Sequence, residues 1–300
     1  MRAAARIGTK AAFILLYCSA AQAAPITVRD DAGNSITLGA PATRIVSLAP
    51  HTTELLFAAG AGDEVAGVSQ FSDYPEAAKH LPQLGGAAGF DIERIAALKP
   101  DLVVLWQSGA APAQVEALKR LGLPVFESEP HDFATVASSL ERLGQLAGKP
   151  EQGDRAAAAF RARWQALAAR YAHAAPVKVF YQIWSQPLMT LNNHHLASAA
   201  IAVCGGTNVF GTLPVLAPTV NLEAVLQAAP EVILTGNDGG DDGIGALAPW
   251  KKFPQMTAVR RDNLFALDSA LLTRGSPRIL DGAEAICGKL DIARNKRNRK

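Results

Sequence analysis

A helix, a proline and an apolar strand occur twice in this chain in the same order, and this repeat restricts the possible folds more than any other feature. The sequence IERIAALKPDLVVL covers residues 92–105, and LEAVLQAAPEVILT covers residues 222–235. In each copy an amphipathic helix stops at a proline, and a continuous apolar run typical of buried parallel strands follows. The repeat predicts an α/β protein of two similar lobes, each with a mainly parallel sheet covered by helices.

The N-terminal lobe is predicted to span residues 24–149 and to begin with a β-hairpin in ITVRDDAGNSITL. Four strands follow, in RIVSLAP, EVAGVS, DLVVLW and PVFES. The helices between them are HTTELLFAAG, capped by Thr52 or Thr53 and ended by Gly60, then DIERIAALKP, capped by Asp91, and finally APAQVEALKRLG. Strands and helices therefore alternate through the whole lobe.

One long segment rich in alanine and arginine separates the two halves of the chain. Residues 150–175 contain no proline after Pro150 and no glycine after Gly153, so they predict a single rigid helix that joins the lobes. The alternation then resumes with the strand VKVFYQIW, the helix ASAAIAVCGG and the second copy of the repeat. The C-terminal lobe is predicted to span residues 176–292, with a basic tail at 293–300.

Residues 1–23 have the layout of a secretory signal peptide, with a basic start, the apolar stretch AAFILLY and cleavage after Ala23. The apolar stretch is far shorter than the roughly 20 residues needed to span a bilayer. Lipidation of Cys18 is disfavoured because the bulky Tyr17 precedes it. We therefore predict export to the periplasm.

Removal of this segment changes the charge and the cysteine content. The formal net charge falls from +2 to −1 because the segment carries three basic residues and no acidic one. No basic surplus remains to hold a nucleic acid, and the tail is expected to be frayed and solvated. Cys204 and Cys287 remain in an oxidising compartment, where two cysteines indicate one disulfide. A reactive or metal-binding thiol pair is the alternative.

Several segments resemble the periplasmic cobalamin-binding proteins of bacterial ABC importers, in order over residues 43–290. They are RIVSLAPHTTELLFAAGAGDEVAGVSQFSDYPEAA, DIERIAALKPDLVVLW, VCGGTNVF and RGSPRI. The resemblance implies a ligand cleft between two lobes joined by a long helix. It also implies a monomer without a cofactor that delivers cobalamin to an ABC permease and, through it, to the ATPase. Haem and ferric siderophores are alternative ligands because related binding proteins share this architecture.

The resemblance gives one residue of each repeat a role. Glu93 and Glu223 match two glutamates, one on each lobe, that dock onto arginines of the permease. Such charges set register and encounter rate more than affinity. Stabilisation of the positive helix N-terminus remains the alternative. Cys204 and Cys287 match the family's disulfide.

The ligand contacts implied by the resemblance are mostly aromatic. Trp106 matches a tryptophan of the cleft, and Phe71 stands where the family has a tyrosine. Ile183, with Trp184 beside it, occupies a third aromatic position. Rings of this kind suit a large planar ligand because they bury much apolar area. Arg274 matches an arginine near the cleft and could pair with the ligand, or form a structural ion pair.

Other positions depart from the family pattern. Two further aromatic contacts fall at Ala87 and Ala217, and an aspartate falls at Ala270. The docking signal is therefore kept while the pocket is partly altered.

Three histidines and an acidic loop are candidates for metal binding. His51 follows the first strand, at the sheet edge where such folds bind ligands, and His194 and His195 follow LMTLNN. Each could ligate cobalt or haem iron, but their spacing is not that of a metal site, and a solvated or hydrogen-bonded ring is the alternative. The loop at 238–245 lacks the calcium-loop pattern and is interpreted as a mobile acidic loop.

The sequence carries no Gly-x-Ser-x-Gly, phosphate-loop or His-Glu-x-x-His motif. Because catalytic groups converge in space rather than in sequence, this absence is weak support. The export signal and the paired docking acids favour a binding protein, with an exported enzyme as the alternative.

Overall fold

The computed structural model describes residues 24–86, 88–237 and 244–297, in which two α/β lobes are joined by one long helix, as predicted. The predicted signal peptide, Ala87, most of the acidic loop and the last three residues of the basic tail lie outside the described residues. In the described part, no helix is both long and apolar enough to cross a membrane.

The N-terminal lobe consists of a hairpin followed by alternating strands and helices. Its elements are β1 (Ile26–Arg29), β2 (Ser35–Leu38), β3 (Ile45–Ser47), α1 (Pro50–Ala58), β4 (Val65–Val68), β5 (Gly85–Gly86), β6 (Gly89–Phe90), α2 (Ile92–Ala97), β7 (Leu102–Trp106), α3 (Pro112–Arg120), β8 (Val125–Ser128) and α4 (Phe133–Leu146). A short 3-10 helix covers Glu76–His80. The main sheet is parallel throughout, in the order β4-β3-β7-β8.

The start of α1 differs from the prediction. The helix begins at Pro50, with Ala49 as its N-cap residue, so Thr52 and Thr53 lie inside the first turn instead of capping it. Proline suits the first helical position because its missing N–H has no partner there in any case. The Thr52 hydroxyl accepts a hydrogen bond from the Ala49 N–H at 3.2 Å, closing this turn.

Helix α4 was missed by the sequence analysis, although its start carries a clear signal. The Asp132 carboxylate accepts a hydrogen bond from the Thr135 N–H at 2.6 Å and caps the helix. Along its length α4 packs against the joining helix α5 (Pro150–Tyr171), which ends before the predicted boundary at residue 175. A Cβ on Gly153 would lie 2.6 Å from the Leu140 carbonyl oxygen, so a glycine is required where the two helices cross.

The C-terminal lobe repeats the architecture of the first. Its elements are β9 (Val177–Gln182), β10 (Trp184–Ser185), β11 (Leu188–Met189), α6 (Leu196–Val203), β12 (Gly206–Asn208), α7 (Leu222–Ala228), β13 (Val232–Asn237), α8 (Ile244–Leu247), α9 (Thr257–Arg260), β14 (Leu264–Asp268), α10 (Ala270–Thr273) and α11 (Ile279–Arg297). A 3-10 helix covers Ala248–Lys252. The parallel sheet has the order β12-β9-β13-β14. The strand predicted from VKVFYQIW is interrupted at Ile183.

The predicted frayed tail is wrong for the residues that the structure describes. Helix α11 continues to Arg297, whose guanidinium pairs with Glu231. Arg294 donates from Nε to the Ala175 carbonyl at 2.8 Å and pairs with Asp291 at 2.8 Å. These basic side chains therefore tie the end of α11 to its own lobe.

The predicted disulfide is present and joins the end of α6 to α11. Cys204 and Cys287 are bonded across 83 residues of sequence, and neither residue is more than 1% exposed. We expect the mature protein, unfolded in denaturant without reductant, to take up no alkylating reagent. Mass spectrometry should find two alkylated cysteines only after reduction. Quantitative labelling of both residues without reductant would contradict the bridge.

Candidate functional site

The interlobe cleft lies at the carboxyl ends of the parallel strands of the N-terminal sheet, the edge at which open α/β sheets bind ligands. Two cavities, of about 770 and 290 Å³, contain residues of both lobes in their walls. Both cavities have Thr273 and Arg274 in their walls, so the two are neighbours in one cleft. From the N-terminal lobe, Phe71 lines the larger cavity and Trp106 the smaller one.

Arg274 connects the two lobes from the C-terminal side. Its Nη1 atom lies 3.0 Å from Glu54 Oε1 and 2.6 Å from Asp73 Oδ1. Burial by itself would raise the pKa of Asp73, but the hydrogen bond and charge of Arg274 outweigh it and hold that pKa below its usual value. Arg274 was predicted either to pair with the ligand or to form a structural ion pair, and the structure shows the ion pair.

Glu54 is the centre of this network and was missed by the sequence analysis. Its carboxylate is 1% exposed and also accepts hydrogen bonds from Arg278 Nε at 2.9 Å and from the Ser276 hydroxyl at 2.5 Å. The Arg278 guanidinium lies 4.0 Å from the centroid of the Tyr74 ring. The available signals were the single acid that precedes the apolar stretch LLFAAG and the two arginines in RGSPR, but neither segment identifies the other as its partner.

Phe71 combines an exposed ring with a strained backbone. Its side chain lies in the larger cavity wall, the residue is 76% exposed, and its φ is 63°. A bulky residue rarely adopts this left-handed conformation, and such strain persists where the surroundings hold it. Arg274 Nη2 supplies one such restraint by donating to the Phe71 carbonyl at 3.2 Å. The ring is thus held out towards the cleft.

Trp106 is oriented by a carboxylate that the sequence analysis also missed. Its Nε1–H donates to Glu129 Oε1 at 3.1 Å, while the Ser108 N–H donates to Oε2 at 2.9 Å. The His51 ring meets Trp106 edge-on, with centroids 6.0 Å apart. Trp106 remains 43% exposed, so one face is open to a ligand.

Two of the candidate histidines are held neutral inside the smaller cavity. Burial lowers the pKa of His51 to about 4, against the opposing charges of Glu129 and Glu54. Burial likewise lowers the pKa of His195 to about 4. His51 Nε2 lies 3.3 Å from the Ser128 hydroxyl, so this ring has a hydrogen-bond partner inside the protein.

The shifted pKa of His51 predicts a pH-dependent stability. The unfolded chain binds a proton near pH 6.5, whereas folded His51 binds one only near pH 4. Between these values the unfolded state holds more protons, so the free energy of unfolding should fall as the pH falls, by about 3 kcal/mol for this group. His195 should contribute similarly. Denaturant unfolding between pH 7 and 4 should therefore give a smaller pH slope for His51→Asn than for the wild-type protein.

His173→Asn makes the same substitution at an exposed position and serves as the matched control. A wild-type slope in His51→Asn would contradict the assignment, since it would mean that folded His51 takes up its proton at an ordinary pH.

In the described ranges, no three or more His, Cys, Asp and Glu side chains form a group that could hold a metal ion. The cleft therefore offers aromatic surface, a buried ionic network and single imidazoles, an arrangement suited to enclosing a large ligand.

Comparison with known proteins identifies the family. The family model described as periplasmic binding protein matches residues 45–271. The chain belongs to the periplasmic binding protein family. It is 38% identical over 254 residues to the vitamin B12-binding protein of Vibrio cholerae serotype O1, covering 84% of this chain and 91% of that relative. Relatives of this kind are binding proteins.

Two solved structures are similar over nearly their full length. The crystal structure of the periplasmic vitamin B12-binding protein BtuF of Vibrio cholerae has a TM-score of 0.78 at 38% identity, covering 85% of this chain and 98% of that one. The apo form of the periplasmic heme-binding protein RhuT from Roseiflexus sp. RS-1 has a TM-score of 0.73 at 27% identity, covering 83% and 98%. The two relatives take different metal-containing ligands.

Glu93 and Glu223 occupy equivalent places on the two lobes of this periplasmic binding protein. Each is the second residue of its helix, in α2 and α7, and each is exposed. The caps are made by Asp91, which accepts from the Arg94 N–H at 2.9 Å, and by Asn221. Within residues 24–86, 88–237 and 244–297, neither glutamate side chain makes a hydrogen bond or an ion pair. Helices α2 and α7 are therefore capped by other side chains and do not need Glu93 or Glu223 as caps.

The remaining predicted contact residues lie elsewhere. Ile183 packs against the hydrophobic core and lines neither cavity, because its backbone pairs with Met189 at the break after β9. Trp184 is 60% exposed, donates from Nε1 to the Gln186 carbonyl at 2.9 Å, and is likewise outside both cavity walls. Ala217 packs against the core, whereas Ala270 lines the larger cavity.

Proposed function

We propose that this protein binds cobalamin or a related corrinoid and delivers it to an ABC importer. The observation that carries the proposal is the interlobe cleft, into which Phe71 and Trp106 present partly exposed rings from one lobe. A corrinoid is a broad, nearly planar macrocycle, and aromatic surfaces bury its apolar area at little cost in side-chain entropy. The 38% sequence identity to a vitamin B12-binding protein over 84% of this chain supports this ligand.

The family and the N-terminal sequence support a cellular setting for this role. The protein acts in the periplasm after cleavage at Ala23, as a monomer without a resident cofactor. Glu93 and Glu223 dock onto basic residues of the permease, so that each lobe contacts one half of the transporter. The binding protein acts on the ATPase indirectly, through the permease. The exposure of both acids and their equivalent helix positions support this role.

Haem is the second candidate ligand, and ferric siderophores follow it. The smaller cavity has four histidines in its wall, and imidazole is a common haem ligand. The similarity to the heme-binding protein RhuT supports the same alternative. An exported enzyme is a third alternative. It would differ from a binding protein by converting its substrate to a product instead of releasing the ligand unchanged.

Calorimetric titration of the mature protein, residues 24–300, separates these candidates. We expect 1:1 binding of cyanocobalamin, with haem and a ferric hydroxamate binding more weakly at equal concentration. The bound cyanocobalamin should be recovered unchanged, which distinguishes a carrier from an enzyme. Tighter binding of haem than of cyanocobalamin would reject the corrinoid assignment.

Trp106→Ala tests whether the smaller cavity belongs to the ligand site. Loss of this ring should weaken cyanocobalamin binding by on the order of 1–3 kcal/mol without unfolding the protein, because the side chain is partly exposed. Trp184→Ala is the matched control, since this tryptophan lies outside both cavity walls. Calorimetry on the two folded variants measures the difference. Unchanged affinity in Trp106→Ala would remove Trp106 from the site.

A further inference from the structure

Four histidines contribute to the wall of the smaller cavity. They are His51, His131, His194 and His195. Because an imidazole binds a metal through an unprotonated nitrogen, the chemistry open to each ring depends on which nitrogen carries the proton. The hydrogen-bond partners decide this for two of the four rings.

His195 is unsuited to metal binding. Its Nδ1 atom accepts a hydrogen bond from the Ala197 N–H at 3.1 Å, as the N-cap of α6. In the neutral ring the proton is therefore on Nε2, which becomes a donor with no lone pair to offer. His51 is only 6% exposed, and its Nε2 is paired with the Ser128 hydroxyl.

His131 has the opposite arrangement. Its Nδ1 atom lies 3.3 Å from the carbonyl oxygen of Glu129, which can only accept a hydrogen bond, so Nδ1 carries the proton. The lone pair is then on Nε2. This side chain is 64% exposed, and Nε2 is 3.9 Å from Asp132 Oδ2, beyond hydrogen-bonding distance. A backbone carbonyl on Nδ1 is the support that metal-binding histidines commonly have.

His194 lacks such support. Its backbone N–H donates to Asn192 Oδ1 at 2.9 Å, but within the described part of the chain its ring nitrogens have no hydrogen-bond partner. The ring is exposed and no contact fixes its tautomer. Among the four histidines, His131 is thus the one that is both accessible and fixed in the metal-binding tautomer.

We propose that Nε2 of His131 coordinates the metal of the bound corrinoid, as an axial ligand of cobalt; this inference rests on the proposed function. In aquocobalamin the cobalt(III) ion holds an exchangeable water. The cobalt–oxygen bond breaks, water leaves with its electron pair, and the Nε2 lone pair forms the cobalt–nitrogen bond. The proton stays on Nδ1 and no electron is transferred.

Absorption spectra of bound aquocobalamin test the proposal. On the wild-type protein the corrinoid bands should shift to the positions that free imidazole produces with aquocobalamin in solution. His131→Ala should leave the aquocobalamin bands unshifted. The bands of bound cyanocobalamin, in which cyanide already holds that axial position, should be the same in the variant and in the wild-type protein. Added imidazole should restore the shift in this variant. His194→Ala, exposed in the same cavity wall, should behave as wild type.

The outcomes separate the two proposals. Failure of the wild-type protein to bind cyanocobalamin would reject the proposed function. Binding of cyanocobalamin without a shift of bound aquocobalamin would reject only the coordination by His131. A shift that persists in His131→Ala, or one that His194→Ala alone removes, would overturn the assignment to His131.

Discussion

The variant with both Glu93→Lys and Glu223→Lys is expected to lose stimulation of the transporter's ATPase while binding ligand like the wild-type protein. Both acids are exposed, and both lie on helices whose caps are supplied by Asp91 and Asn221. Charge reversal would set lysines against the basic residues of the permease, and like charges in close contact cost several kcal/mol. Each single variant should be impaired, and the double variant more so.

The measurement combines ligand calorimetry, thermal unfolding and ATPase stimulation by transporter reconstituted with each variant. Glu116→Lys reverses an exposed charge on another helix, α3, and should stimulate the ATPase normally. If the glutamates only stabilise their helix ends, the double variant should melt at a slightly lower temperature and still stimulate the ATPase. Normal stimulation by the folded double variant would therefore reject the docking role.

Replacement of Glu54 by glutamine should destabilise the protein strongly. The carboxylate is 1% exposed and is shared by Arg274 and Arg278, whose side chains are 15% and 19% exposed. Removing the negative charge leaves two poorly solvated guanidiniums of the C-terminal lobe without the carboxylate that they share. Breaking a buried pair in this way costs about 3–5 kcal/mol, and the partial exposure of the arginines favours the lower end of that range.

Urea unfolding compares Glu54→Gln with a surface control. Glu151→Gln removes a carboxylate that is 86% exposed and 3.6 Å from Arg155, so its effect should be within about 1 kcal/mol of zero. A Glu54→Gln protein as stable as this control would show that the arginines do not need this carboxylate, and that their other contacts, including the Arg274–Asp73 ion pair, are sufficient.

The sequence predicted the alternating elements and the two-lobe architecture because these depend on local patterns. The helix and strand of each repeat became α2 with β7 and α7 with β13, since a proline stop and an apolar run act within a few residues. The disulfide was also predictable, because only two cysteines remain after removal of the signal segment. Helix α4 was equally predictable, because Asp132 supplies a local N-cap signal at its start.

Through the resemblance, the sequence predicted Phe71 and Trp106, which line the cleft, and Glu93 and Glu223, whose docking role stays a prediction. It did not determine their geometry. Whether Glu93 and Glu223 cap their helices depends on the side chains of Asp91 and Asn221 at the helix ends.

Only the tertiary structure decided the interlobe network and the proton positions on the histidines. Glu54 meets Arg274 and Arg278 across 220 and 224 residues of sequence, and no local pattern specifies so distant a partner. The tautomers of His131 and His195 follow instead from the folded conformation of their own loops, which places a backbone carbonyl or N–H only two residues away beside Nδ1. Residue types and short-range periodicity are properties of the sequence itself. The burial of the interlobe charges and their pairing depend on contacts that form only when the two lobes pack together.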